Sequence, residues 1–246
     1  MFYNLIICFL EDAIKMKILV AIPCLYGQAH TLEAINSIIA ADGILLIDNG
    51  AEPAVKEIIN SFDKYSNVHI IRNEKNIYVN PAWNQIINFF LNSEFDYLAI
   101  MNSDLIMQED WYAILKTRWL ASPDEIIIPT ITQDKQFGGY TLSDVFIAQE
   151  VSEGTAGVFI TLNKKQAEVI YPIPDVCKVW FGDEWIYTIL RQLGYKTLIP
   201  ENLLAYHYWS QNVQKVEGIS ELIEEDKRQW EKTGRPAMRK IIAYNK

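Results

Sequence analysis

The sequence predicts one α/β domain with a mixed, mostly parallel sheet and helices on both of its faces. Over the first hundred residues, short apolar runs alternate four times with segments of helical periodicity, and this alternation is typical of parallel strands joined by right-handed crossovers. The runs are apolar throughout, as expected for strands that are buried on both faces. With 246 residues, half of them hydrophobic, the chain can bury a large core.

The first four strands are predicted from apolar runs at 17–23, 43–48, 68–72 and 97–101. The connecting helices are predicted at 31–41, 53–62 and 81–91. We expect Thr31 to cap the first of these helices, and its buried face to carry Leu32, Ile35, Ile38 and Ile39.

The periodicity is weaker beyond residue 104. Further strands are predicted at 125–129, 144–148, 154–162, 195–200 and 203–208. Further helices are predicted at 109–120, 163–170, 183–193 and 217–232. A tail rich in basic residues follows from Gly234.

Composition and charge restrict the classes of partner. A net charge of −9 argues against general affinity for nucleic acid, because such binding depends on basic side chains that neutralise phosphates. The three cysteines are far apart and odd in number, which indicates a reduced, cytoplasmic protein without a disulfide framework. Residues 1–10 are apolar but lack the basic start and small-residue cleavage site of a signal peptide. We expect no transmembrane segment.

Polar residues follow the predicted strands where each strand ends. They are Pro23 with Cys24, Asp48 with Asn49, the segment 76–84, and Asn102-Ser103-Asp104. In open α/β sheets, ligands bind in the crevice outside the carboxyl ends of the strands. Asp104 could hold a hard divalent cation there, since such cations prefer oxygen ligands, or it could simply cap the next turn.

Two further features stand apart from these strand ends. Asp183 and Glu184 begin a predicted helix, flanked by Trp180, Phe181 and Trp185. By itself, an acidic residue in the first turn stabilises the helix N-terminus. A lone histidine, His207, ends an apolar run, and a histidine in such a position is more often structural.

An ordered set of motifs resembles the family 2-like glycosyltransferases of the GT-A fold. The resemblance covers residues 17–210 and is carried by KILVAIPCLYG, LLIDNGA, NIYVNPAWNQII, LAIMNSDL, GTAGVFITLNKK and FGDEWIYTILRQLGYKTLIPENLLAYHY. It implies a single Rossmann-like domain in which residues 16–104 bind the nucleotide sugar and 105–210 form the acceptor-binding and catalytic half. Residues 1–15 would be an N-terminal extension, and 211–246 a C-terminal helix with a basic tail.

The resemblance implies a nucleotide site at the first three strand ends. Pro23 and Cys24 would border the base, and Asp48 would contact the base or ribose, although in Asp-Asn-Gly it is equally typical of a turn. Asn76 and Asn84 would lie near the nucleotide. The family pattern usually has a glycine at the position of Asn80.

The resemblance also implies a metal site and a base. Asn102, Ser103 and Asp104 would form a DXD-type motif that contacts the nucleotide diphosphate, with Asn102 in place of the first acid. Asp104 would hold Mn²⁺ or Mg²⁺ with His207. Asp183 would deprotonate the acceptor hydroxyl, with Glu184 as its neighbour.

The leading hypothesis is an inverting, metal-assisted glycosyltransferase that uses a UDP- or GDP-sugar. Its acceptor could be a glycan, a lipid-linked glycan, a protein or a modified nucleic-acid base. A sugar-nucleotide nucleotidyltransferase is an alternative, but the residues after the first strand, Pro-Cys-Leu-Tyr-Gly-Gln, lack a basic phosphate loop. A non-catalytic nucleotide- or carbohydrate-binding module is a third possibility.

Overall fold

The structure is a computed structural model that describes residues 15–137, 148–150, 157–209 and 215–245, the segment 148–150 by its backbone alone. Most of the predicted N-terminal extension, residues 144–147 of one predicted strand and residues 154–156 of another lie outside the described residues. No helix in the described ranges is both long and apolar enough to cross a bilayer.

Eleven strands occur in the described part of the chain. They are β1 (Ile18–Cys24), β2 (Gly43–Asn49), β3 (Val68–Asn73), β4 (Tyr97–Met101), β5 (Leu105–Met107), β6 (Ile126–Ile127), β7 (Thr130–Thr132), β8 (Ala148–Glu150), β9 (Phe159–Asn163), β10 (Thr197–Pro200) and β11 (Leu204–His207).

Eight α-helices accompany these strands in the same ranges. They are α1 (Gln28–Ser37), α2 (Pro53–Phe62), α3 (Val79–Leu91), α4 (Trp111–Ala121), α5 (Lys164–Ile170), α6 (Gly182–Gln192), α7 (Ile219–Gln229) and α8 (Arg235–Asn245). A π-helical turn, Trp230–Gly234, joins α7 to α8.

The central sheet has the order β3-β2-β1-β4-β9. Its first four strands are parallel, and β9 pairs antiparallel with β4. Two smaller sheets, β6-β10-β8 and β5-β11-β7, lie beyond it. The predicted mixed, mostly parallel sheet is therefore confirmed.

The core lies in two layers, one on each face of the central sheet. Side chains of α1, α2 and α4 pack on one face, and those of α3, α5, α6 and α8 pack on the other. Strands β1 and β2 are buried along almost their entire length, which explains why their sequences are continuously apolar. Helices therefore cover both faces, as predicted.

The start of α1 differs from the prediction. The helix begins at Gln28 after Gly27, which has a left-handed backbone (φ 88°), so that Thr31 is buried inside the helix and does not cap it. Ile35 and Ile38 are buried as predicted. Leu32 and Ile39 are 39% and 45% exposed, because the buried stripe is centred on Thr31, Ala34, Ile35 and Ile38, and the helix ends at Ser37.

The C-terminal region is more ordered than the sequence predicts. The charged helix is α7, and the segment predicted as a basic tail is helix α8. Met238 of α8 is buried in the core layer that contains α3 and α6, and Trp230 of the π-helical turn is buried beside it. The tail prediction was therefore wrong, because an apolar stripe on this segment packs against the domain.

Candidate functional site

A pocket of about 300 Å³ lies at the carboxyl edge of the central sheet. It is lined by Pro23, Leu25, Asn49, Asn76, Tyr78, Val79, Asn102, Ser103, Asp104, Val158, Val179, His207, Trp209, Val216 and Ile219. Strand β1 is central in the sheet, with β2 and β3 on one side and β4 on the other. The chain order reverses at this position, which is where open α/β sheets bind ligands.

Asp104 and His207 meet at one side of this pocket. His207 Nε2 lies 3.0 Å from Asp104 Oδ1, and both side chains are buried. The pairing of β5 with β11 accounts for the contact, because it places His207 opposite Leu105. The backbone N–H of Tyr208 also donates to the carbonyl of Asp104 (3.0 Å), so backbone pairing holds the two residues next to each other.

The pair fits a divalent cation. Two neighbouring ligand atoms at about 2.1 Å from an octahedral ion lie about 3.0 Å apart, which matches the separation of Oδ1 and Nε2. The described residues contain no cluster of three or more His, Cys, Asp or Glu side chains that could hold a metal alone. Remaining ligands would therefore come from substrate oxygens or water, as is common for Mg²⁺.

A polar cluster on the far side of β11 fixes the residue that follows His207. The Tyr208 hydroxyl donates to Glu33 Oε2 (2.5 Å), and Lys135 Nζ lies 2.7 Å from Glu33 Oε1. The His30 ring stacks on Tyr208, with the ring centroids 3.9 Å apart. These contacts tie α1 and the segment after β7 to Tyr208. Because Tyr208 directly follows His207, they also restrict the position of the His207 backbone.

Asn49, rather than Asp48, contributes a side chain to the pocket. Asn49 Nδ2 donates to Asn76 Oδ1 (3.1 Å) and to the carbonyl of Tyr78 (3.2 Å), and Asn49 Oδ1 accepts from the N–H of Ile77 (3.1 Å). These bonds hold the loop that follows β3. Gly50 permits its close approach, since a Cβ there would lie 2.4 Å from the carbonyl carbon of Lys75.

Asp48 points away from the pocket and forms a turn. Its Oδ1 accepts from the N–H of Ala51 (2.9 Å), and its Oδ2 lies 3.8 Å from Arg72 Nη1. Successive side chains of a strand face opposite sides, so only one of Asp48 and Asn49 can point toward the ligand crevice. The alternative interpretation of Asp48, as a turn-forming residue, matches this geometry.

The other residues that were predicted to contact the nucleotide also form two groups, those that line the pocket and those that do not. Pro23 and Asn76 line the pocket. Cys24 is fully buried, and its thiol donates to the carbonyl of Ile22 (3.5 Å). Asn84 exchanges two hydrogen bonds of 2.8 Å with the backbone of Ile173, so its side chain fixes the loop after α5 and does not reach the pocket.

Asp183 lies in the first turn of helix α6, close to the pocket wall. Its Oδ2 accepts from the N–H of Gly157 (3.2 Å), and its Oδ1 accepts from the N–H of Glu184 (2.9 Å). The next residue, Val158, lines the pocket and accepts from the N–H of Asn102 (3.0 Å). Gly157 and Val158 therefore link the carboxylate of Asp183 to Asn102, which follows β4.

The environment of Asp183 suits a base. Burial raises the pKa of its carboxyl group, and the N–H groups of Glu184 and Gly157 oppose this effect without cancelling it. A carboxylate with a raised pKa is a stronger base than an exposed one. Glu184 points elsewhere: its Oε1 lies 3.7 Å from Arg235 Nη2 on α8.

A buried aspartate on α7 holds the loop between α5 and α6. Asp226 is fully buried, and its carboxylate accepts from the N–H groups of Lys178 (2.7 Å), Val179 (2.7 Å) and Trp180 (2.9 Å). Val179 lines the pocket. Helix α7, which also places Ile219 in the pocket wall, therefore belongs to the site.

Asn80 secures the same loop from the other side. Its Nδ2 donates to the carbonyls of Cys177 (3.1 Å) and Trp180 (2.9 Å), and its N–H donates to the carbonyl of Lys178 (2.9 Å). A Cβ on Gly182 would lie 2.2 Å from Asn80 Oδ1. The amide of Asn80 therefore occupies the space that a side chain at position 182 would need.

None of the side chains that line the pocket in the described ranges is lysine or arginine. The internal segments outside the described ranges, 138–147, 151–156 and 210–214, also contain no lysine or arginine in their sequence. An anionic ligand in this pocket would therefore need another source of positive charge.

The sequence does not single out several residues that form or support the pocket. It does not distinguish Asn49 from the neighbouring Asp48, and Asp226 is one of several acids in the run ELIEEDK. Tyr78 and Trp209 have left-handed backbones (φ 69° and 56°), which is rare outside glycine. No local sequence pattern predicts this backbone conformation.

Comparisons with known proteins agree with this architecture. The family described as "Glycosyl transferase family 2" matches residues 19–157, which is more than half of the chain. No curated protein matches the sequence significantly.

Among solved structures, GalNAc-T7 with UDP, GalNAc and Mn²⁺ has a TM-score of 0.63 at 14% identity, over 88% of this chain and 49% of that chain. TarS residues 1–349 from S. aureus have a TM-score of 0.60 at 10% identity, over 90% and 73%. The mannosyltransferase PcManGT from Pyrobaculum calidifontis, in complex with GDP-Man and Mn²⁺, has a TM-score of 0.59 at 12% identity, over 80% and 58%.

The chain spans about half the length of the first of these structures. At these identities the structural likeness concerns the fold alone, and it confirms the predicted GT-A fold. The family match is independent of that likeness and includes β1 to β4 with the Asn102-Ser103-Asp104 motif. The chain therefore belongs to glycosyl transferase family 2.

Proposed function

We propose that this protein transfers a sugar from a UDP- or GDP-sugar to an acceptor hydroxyl with inversion at the anomeric carbon. The observation that carries the proposal is the pocket itself. The Asp104–His207 pair lies at one side of it, and Asp183 is bonded to Gly157, the residue before Val158 of the pocket wall. Two similar folds hold UDP or GDP-Man together with Mn²⁺, which supports the choice of donor.

The nucleotide would occupy the part of the pocket formed by Pro23, Leu25, Asn49 and Asn76. Pro23 and Asn49 lie at the carboxyl ends of β1 and β2, and Leu25 and Asn76 follow β1 and β3. Hydrogen bonds that join Asn49 to Asn76 and Ile77 hold the loop after β3 in place, and a site that is held in place by the protein lowers the entropic cost of binding. Asn102 and Ser103 would lie beside the diphosphate.

Asp104 and His207 would hold Mn²⁺ or Mg²⁺ against the diphosphate. A bound divalent ion supplies Lewis-acid neutralisation of the charge that develops on the leaving nucleoside diphosphate. The absence of lysine and arginine from the pocket lining makes this contribution important, because no described side chain there can replace it. We therefore expect the activity to depend on metal.

Asp183 would act as the general base. As the acceptor oxygen forms a bond to the anomeric carbon, its proton passes to the Asp183 carboxylate, and the bond from that carbon to the diphosphate oxygen breaks with its electron pair. A single displacement of this kind inverts the configuration. Desolvation of Asp183 favours proton uptake at the moment of attack.

A thermal-shift screen of nucleotides and nucleotide sugars with Mn²⁺ tests the donor, because a ligand that binds the folded state stabilises it by mass action. Incubation with the donor identified in this way tests the reaction. Release of UDP or GDP with a product of inverted configuration, detected by NMR, supports the proposal.

Release of pyrophosphate would instead indicate a nucleotidyltransferase. Binding without turnover would indicate a non-catalytic module. A chain that no nucleotide stabilises would contradict the proposal.

A further inference from the structure

Charge is distributed very unevenly along the chain. Residues 230–246 contain five basic residues and one acid, a net charge of +4, so that residues 1–229 carry −13. The sequence of helix α8 contains no acidic residue. Positive charge is therefore concentrated on the π-helical turn and α8, the segment that the sequence predicts as a basic tail.

Packing determines which side of α8 faces solvent. Met238 is buried, and Ile241 and Ile242 pack against the same core layer. Arg239 and Lys240 are exposed on the outer side. Because the domain already covers the apolar stripe, the outer side of α8 can meet a partner only through its charged and polar groups.

Three cations and one aromatic ring form this outer side, which we call the basic face: Lys232, Arg239, Lys240 and Tyr244. All four side chains are exposed, and Tyr244, at 90%, is the most exposed large hydrophobic residue in the described ranges. Residues spaced by four form a ridge along a helix. Lys232, Lys240 and Tyr244 share such a ridge, and Arg239 lies on the next one.

The charges of the basic face are not compensated by the described residues. Within the described ranges, Lys232, Arg239 and Lys240 form no ion pair with an acidic side chain, whereas Arg235 lies 2.8 Å from Glu231 Oε1. The cations of the face are therefore directed toward solvent. They attract an anionic partner, although the rest of the chain is strongly acidic.

We propose that the basic face docks the protein on the anionic surface of a lipid bilayer. The exterior of a single helix is convex and offers no groove for the side chains of a peptide, whereas a bilayer presents a broad array of charged headgroups. Tyr244 at the end of the face suits the headgroup level, where tyrosine places its ring and its hydroxyl in matching surroundings. This docking is independent of the proposed glycosyl transfer.

The strength of this docking follows from the number of free cations. A basic side chain close to an anionic membrane raises affinity about fivefold, so three of them raise it about a hundredfold. Nothing on the outer side of α8 inserts into the hydrocarbon, so the binding is reversible and is weakened by salt. A nucleic-acid duplex would supply phosphates as well, but it offers no apolar boundary for the ring of Tyr244.

The test is sedimentation of the whole protein with vesicles made of equal parts of phosphatidylcholine and phosphatidylglycerol, beside vesicles of phosphatidylcholine alone. We expect binding to the anionic vesicles only, and release when salt is raised from about 0.1 M to about 0.5 M. The double substitution Arg239→Gln with Lys240→Gln should lower the affinity about twentyfold or more.

Two further double variants serve as controls. Lys56→Gln with Lys64→Gln changes the net charge equally, on α2 and directly after it, where the helix packs on the opposite face of the sheet. It should bind as the wild type does. Arg239→Lys with Lys240→Arg keeps both charges and should also bind normally.

Several results would overturn the proposal. They are no binding of the wild type to anionic vesicles, equal binding to vesicles of phosphatidylcholine alone, and equal loss in the Lys56 and Lys64 control. Retention of duplex DNA without binding to vesicles would identify nucleic acid as the partner instead. Should the Arg239 and Lys240 glutamine variant fail to fold, Lys232→Gln is measured in its place, with an expected loss of about fivefold.

Discussion

His207 Nε2 lies 3.0 Å from Asp104 Oδ1, although the two residues are 103 positions apart in the chain. Asp104 follows a strand of the central sheet, whereas His207 ends the central strand of a smaller sheet. The antiparallel pairing of β5 with β11 brings them together. The site thus depends on the docking of the second half of the domain onto the first.

Substitution of Asp104 by Ala should abolish the metal-dependent part of nucleotide binding. Among the described residues that line the pocket there is no lysine or arginine to compensate. We therefore expect the additional thermal stabilisation by UDP or GDP in the presence of Mn²⁺ to disappear, and turnover to fall about a hundredfold or more. His207→Ala should act in the same direction.

Asp63→Ala serves as the control for that experiment, because Asp63 is an exposed carboxylate after α2. It should keep the full effect of Mn²⁺. An Asp104→Ala protein whose stabilisation by nucleotide still increases with Mn²⁺ would show that the metal, if used, is held elsewhere.

Asp183→Asn should preserve donor binding and remove transfer. The amide cannot accept the proton of the acceptor hydroxyl, and loss of a general base typically costs about 10²- to 10⁴-fold in rate. Calorimetry of nucleotide binding and initial rates of transfer measure the two effects separately. Asp175→Asn, at an exposed carboxyl group in the preceding loop, is the matched control and should change neither.

The pH dependence of the wild type should report the same carboxyl group. Its base form is required, so the rate should fall as the pH drops through the pKa of Asp183. Because burial raises this pKa, the fall should begin at a higher pH than for an exposed aspartate. A flat profile down to the ordinary pKa range of aspartate would argue against Asp183 as the base.

The sequence predicted the central sheet well because its strands are apolar on both faces. Strands β1, β2 and β4 are almost completely buried, so each leaves a continuous apolar run that ends in polar residues. Those ends predict Asp104 as a candidate metal ligand from the sequence alone. The periodicity could not show which polar residue of a pair faces the crevice, as Asp48 and Asn49 illustrate.

Contacts between residues that are far apart in the chain could not be predicted from the sequence, for a different reason. Asp226 contacts residues 178–180, yet in the sequence it is only one acid of a charged amphipathic helix. Asn84 has the composition of a ligand-binding residue, but its amide bonds to the backbone of Ile173. Side-chain type limits the possible roles, and the tertiary partner decides between them.

Gly182→Ala should destabilise the fold through a single contact. A Cβ at position 182 would lie 2.2 Å from Asn80 Oδ1, and Asn80 is fully buried with three hydrogen bonds to the loop. We expect a loss of about 1–3 kcal/mol in the free energy of unfolding, measured by denaturant titration.

A double-mutant cycle identifies the cause of that loss. In an Asn80→Ala background the clash is removed, so Gly182→Ala should then be neutral or slightly stabilising, since alanine favours helices over glycine by about 1 kcal/mol. Equal destabilisation in both backgrounds would place the strain elsewhere, for example against Trp83, whose ring is also near.

Asp226→Asn should loosen the loop that precedes the proposed base. The carboxylate accepts three backbone N–H groups, whereas an amide has only one oxygen to offer and its own N–H₂ group would face a donor. We expect a loss of about 2 kcal/mol or more in the free energy of unfolding. Glu224→Gln, at an exposed carboxylate on the same helix, should change it by less than about 0.5 kcal/mol.

Hydrogen exchange locates the effect of Asp226→Asn. The amides of Lys178, Val179 and Trp180 should lose protection, whereas those of β1 and β2 in the central sheet should change only in step with global stability. The loop carries Val179 of the pocket wall and leads directly into α6, so turnover should fall more than nucleotide affinity. Equal loss of protection throughout the domain would mean that Asp226 supports the fold as a whole and does not hold this loop in particular.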